Sequence, residues 1–153
     1  MVVEPEKLFP FREICRKICL NIPTERQWLW DQQRDLAWVT LEKEETELVY
    51  FPLLREFKDR WSFQPEGLPE TLIAQLLDSE YGLMPGQTFF ATPPIEGWVL
   101  FVAWWPWGQA GKVSMRVGLL PMRTGSIPTG FTRSCLSCWL PIGSRSSTSA
   151  GHA

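Results

Sequence analysis

The stretch that decides the fold is Gly97–Pro121, GWVLFVAWWPWGQAGKVSMRVGLLP, in which Trp98, Trp104, Trp105 and Trp107 fall within a few residues and no acid appears. Its second half alternates at period two: Val113, Met115, Val117 and Leu119 lie on one side, Lys112, Ser114 and Arg116 on the other. Successive side chains of a strand point to opposite faces, so this run reads as a half-buried strand. The first half, Trp98–Trp104, is an unbroken apolar run of strand length, and PWGQAG between them is rich in turn formers. An antiparallel hairpin over 98–120 follows. A turn cannot shelter three indoles by itself, so Trp104, Trp105 and Trp107 are expected to be presented to a partner or covered by other elements. Tryptophan is enriched at interface hot spots because it offers large rigid area at low entropic cost.

Upstream, Phe11, Ile14, Cys15, Ile18, Cys19 and Ile22 recur at three- and four-residue steps after Pro10, predicting an amphipathic helix that Pro23 ends. Thr24 and Gln27 fit a capping box and predict a short helix to about Asp35. The β-rich runs Leu36–Leu41 and Leu48–Phe51 flank a charged centre and predict a second hairpin over 36–51, with Glu42, Glu44, Glu45 and Glu47 at its tip. A continuous helix over 25–48 is the rival, weakened by the β-favouring Trp38, Val39 and Thr40. Leu53, Leu54, Phe57 and Trp61 suggest a helix, and another is expected from Pro69 to Gly82. Thr88–Thr92 reads as a strand. After Pro121 the periodicity is lost, so 122–153 reads as a flexible, low-order Ser/Thr/Gly-rich tail. The expectation is one small α+β domain over 1–121, with helices mainly in its first half.

At 153 residues the chain is sized for a single domain, and 44% apolar with 21% charged residues is ordinary for a globular protein. Charge is uneven. All 17 acids and ten of the 15 bases precede Gly97, and only Lys112, Arg116, Arg123, Arg133 and Arg145 follow it. Five dispersed bases do not form a nucleic-acid tract, which needs clustering to neutralise phosphates. No apolar run reaches the roughly 20 residues that span a bilayer, and no signal peptide is read at the N-terminus. A cytoplasmic chain with reduced cysteines is expected.

Chemistry is poorly provisioned. The one histidine, His152, sits beside the C-terminus, which removes the usual base of Ser-His-Asp and Cys-His mechanisms. No phosphate-binding glycine loop, G-x-S-x-G, H-E-x-x-H or EF-hand loop occurs, and no cofactor is expected. Cys15 with Cys19 and Cys135 with Cys138 make a weak candidate zinc set; free cysteines packed as small hydrophobes are the simpler reading. The features point to a non-enzymatic protein-binding module of adaptor, assembly-factor or inhibitor/immunity type. Its contact surface would hold Trp104, Trp105, Trp107, Lys112 and Arg116, with Glu42, Glu44, Glu45 and Glu47 steering a basic protein partner. The alternative is a carboxylate-dependent hydrolase with a Trp-lined cleft, requiring two of Asp31, Asp35, Glu80 and Glu96 to converge. A third reading takes the chain as a truncated or frame-altered product without its own function.

Overall fold

The computed structural model describes residues 5–57, 59–61, 88–106, 111–121 and 130–143. The helix expected over 69–82, Glu80 and Trp107 lie outside them. Six antiparallel strands form one sheet: β1 (Leu29–Asp31), β2 (Leu36–Leu41), β3 (Asp59–Trp61), β4 (Thr88–Ala91), β5 (Trp98–Pro106) and β6 (Val113–Pro121), in the order β1-β2-β6-β5-β4-β3. The β5–β6 pair at its centre is the hairpin expected from the alternation, with Trp98 opposite Pro121 and Pro106 opposite Val113. Three α-helices are described: α1 (Phe9–Cys19), α2 (Lys43–Glu56) and α3 (Phe131–Trp139), the first preceded by a 3-10 turn over Pro5–Leu8. The α+β class therefore stands.

Strand period two distributes β5 between two cores. Trp98, Leu100, Val102 and Trp104 join a cluster with Phe11, Cys15 and Ile18 of α1, Val49 and Leu53 of α2, and Phe131, Cys135 and Leu136 of α3. Val99, Phe101, Ala103 and Trp105 join a second cluster with Leu36, Phe89, Ala91 and Leu120, to which no described helix contributes. A strand buried on both faces reads as continuous apolar sequence, which is what Trp98–Trp105 is. Gly118 belongs to this arrangement: a Cβ there would lie 2.5 Å from the Phe101 ring, so only glycine leaves room for it.

Three expectations need correction. Residues 24–35 are not a helix. Trp28 and Trp30 are both buried and two apart, Asp31 Oδ1 accepts the Arg34 N–H at 3.0 Å, and Asp35 takes φ 57°, making a tight β1–β2 turn. The period-two indoles outweigh the apparent cap at Thr24.

The hairpin over 36–51 is not formed either, because a helix follows β2. The Glu42 N–H donates to Glu45 Oε1 at 2.8 Å, and the Glu42 side chain completes the box toward the third helical residue. Acids in a first turn meet the positive end of the helix dipole. What resembles a repulsive hairpin tip is thus a helix start. Arg26 fixes it from outside, with Nη2 2.7 Å from Glu45 Oε2.

Finally, residues 131–140 do not belong to a low-order tail. Phe131, Cys135, Leu136 and Trp139 form the buried face of α3, and Phe131 stacks on Trp98 with centroids 4.8 Å apart. Trp28 bridges Ile142 beside the β1 edge.

Candidate functional site

The expected tryptophan surface is absent at the two described positions. Trp104 is 6% and Trp105 4% exposed, on opposite sheet faces, so they cannot form one patch. Packing by the domain's own elements covers what the hairpin turn alone could not. The Arg116 guanidinium stands 5.8 Å over the Trp105 ring, stacked on the sheet. Trp105 Nε1 is buried and finds no hydrogen-bond acceptor among the described residues.

Beside Trp104, however, the sheet and α2 enclose an open groove of about 340 Å³. From α2 come Thr46, Glu47, Tyr50 and Phe51, four residues that successive helical turns place along one flank; from the strand ends come Thr88, Trp104, Pro106, Gly111, Lys112 and Val113. Tyr50 sets the floor, its ring edge-on to Trp104 at 5.0 Å and to Phe90 at 5.8 Å. Phe51 forms the outer wall and is 60% exposed. Gly111 permits the close return of the chain: it adopts φ +72°, and a Cβ there would meet the Lys43 side chain at 2.9 Å.

Charge around the groove is mostly committed to structure. Lys112 Nζ lies 3.6 Å from Glu42 Oε2. Glu45 is nearly buried, and the Arg26 guanidinium holds its carboxyl below the usual range. Glu44 and Glu47 are exposed and make no ion pair among the described residues. Of the residues expected to bind, the structure thus brings Trp104, Lys112 and Glu47 together in one groove, with Glu42 at its rim through Lys112. Sequence reasoning missed Tyr50 and Phe51, because both lay in a segment read as strand. Read helically, Thr46–Tyr50 and Glu47–Phe51 are i,i+4 pairs, and that spacing was the available signal.

The other carboxylates lie apart. Asp31 is bound to Arg34 at 3.0 Å and Glu96 lies 3.9 Å from Lys7. Asp35 faces Thr132 and Arg133 of α3, and its pKa is raised chiefly by desolvation. A second cavity of about 320 Å³, lined by Glu6, Phe9, Arg12, Cys138 and Trp139, carries one carboxylate among the described residues, as does the groove. Among the described residues neither therefore brings together the acid pair that glycoside-type hydrolysis needs.

The cysteines divide between α1 and α3, and among the described residues no three His, Cys, Asp or Glu side chains are grouped as a metal site. Burial pushes the Cys19 and Cys135 thiols up to about 11 and that of Cys15 higher still. These three are consequently protonated at neutral pH, the opposite of an activated thiolate. No helix among the described residues is long and apolar enough to cross a membrane. Comparison with protein-family models, with curated proteins and with solved structures finds no match to this chain.

Proposed function

We propose that this chain is a cytoplasmic, non-enzymatic binding module that takes an apolar segment of a partner protein into the groove between α2 and the ends of β4, β5 and β6. One observation carries the reading: the groove has a wall of exposed Phe51, an aromatic floor of Tyr50 and Trp104, and a lining surface that is mostly apolar. Its volume fits the range of sites that accept one anchoring side chain or a small ligand. Preformed aromatic grooves bind peptides at low conformational cost, because floor and walls are already ordered. Exposed Glu47 at the lining favours a lysine or arginine next to the anchor.

A displayed library of random peptides, panned on the purified chain, tests this. Enriched sequences should share an aromatic or aliphatic anchor flanked by a basic residue. Thr46→Arg, which fills the groove from a helix position where arginine is well accepted, should weaken binding at least about tenfold, a hot-spot-sized loss. Thr46→Arg with undiminished affinity would rule the groove out.

A further inference from the structure

The exposed face of α2 carries a second feature, which shares only Phe51 with the groove. Glu44, Leu48, Phe51 and Arg55 are all exposed, Leu48 by 62% and Phe51 by 60%. They follow one another at steps of four, three and four residues, the spacing of a heptad seam. The buried residues Glu45, Val49, Pro52 and Leu53 occupy a separate face of the helix, about a third of a turn from the seam. An apolar pair of this exposure, bracketed by an acid at one end and a base at the other, is self-complementary under a two-fold axis. Turning one copy antiparallel on the other sets Glu44 against Arg55 twice and Leu48 against Phe51 twice. No like-charged residues meet along the seam. Neither Glu44 nor Arg55 makes an ion pair within the described residues, so both are available.

We infer that α2 pairs antiparallel with the α2 of a second copy of this chain through the seam Glu44–Leu48–Phe51–Arg55. The seam runs about 16 Å, the eleven steps from Glu44 to Arg55 at the helical rise. It covers far less than the roughly 1,600 Å² of a standard stable interface, so association is weak and concentration-dependent. Of the four seam residues only Phe51 also lines the groove. Leu48, Glu44 and Arg55 lie outside the groove's lining, so variants at these three positions test the dimer separately from the peptide site.

Sedimentation equilibrium of the full chain, across concentrations from about 10 μM to about 1 mM, reads the association directly, since weak small interfaces fall in this range. Leu48→Ser should weaken dimerisation at least about tenfold, since each dimer loses two buried leucines. Glu44→Arg alone and Arg55→Glu alone should each weaken it by placing like charges in opposition, and the double variant should restore it. All four positions are exposed, and unchanged circular dichroism establishes that each variant is folded. A chain that stays monomeric throughout, a dimer indifferent to Leu48→Ser, or a double swap that fails to recover association would each overturn the pairing.

Discussion

Two carboxylates pull stability in opposite directions with pH. Glu45 is engaged by Arg26 and by the helix start, which lowers its pKa from the ordinary 4.5. Its contribution is present above that value and is lost as pH falls through the lowered folded pKa. Asp35 behaves in the reverse sense: partial burial raises its pKa above the ordinary 3.8, so the folded chain takes up the proton first. Between 3.8 and the raised value, stability from this group falls as pH rises. Glu45→Gln should therefore cost about 2 kcal/mol at pH 7, the scale of a charge-assisted hydrogen bond, and flatten the acid limb of urea-denaturation midpoints. Asp35→Asn should raise the midpoint at pH 7, since asparagine tolerates the left-handed φ of 57° without carrying the charge. Gly118→Ala drives a methyl into the Phe101 ring and should cost about 1–3 kcal/mol by overpacking. Phe101→Leu in the same chain should recover part of that loss.

At the level of elements, legibility followed periodicity. β6 was plain because Val113, Met115, Val117 and Leu119 alternate without interruption, and all four point to the helical core. α1 was equally plain from its three- and four-residue spacing. α2 was hidden by Pro52 inside it and by a glutamate, instead of serine or threonine, at its cap. Proline costs a helix one backbone bond and some strain; here its ring is buried against the core, and packing outweighs propensity. α3 lacked every local start signal, since its N-cap is Gly130 at φ 79° with no side-chain hydrogen bond. Only the spacing of Phe131, Cys135, Leu136 and Trp139 spoke for it, and tertiary contact with Trp98 completes it. Leu136, with no exposed surface, gives the test. Leu136→Ala should lower stability by about 2–5 kcal/mol, the usual cost of such a cavity. An unchanged denaturation curve would mean that α3 is not docked.

For the molecule as a whole, the tryptophan-rich hairpin forms the centre of the sheet, and the proposed recognition site lies on the flank of α2. The site was half legible for the same reason that α2 was misread. Trp104, Lys112 and Glu47 stood out by residue type, whereas Tyr50 and Phe51 acquire meaning only once residues 43–56 are helical. A module of this kind should bind its partner less well as salt rises if Glu47 contributes, and Glu47→Gln should remove most of that dependence. The most direct measurement is a backbone-amide NMR titration of the chain with the tightest peptide from the library. Recognition at the groove predicts shifts concentrated at Thr46, Glu47, Tyr50, Phe51, Thr88 and Val113. Shifts centred instead on Phe9, Arg12 and Trp139 beside the second cavity, or an unperturbed α2, would contradict it.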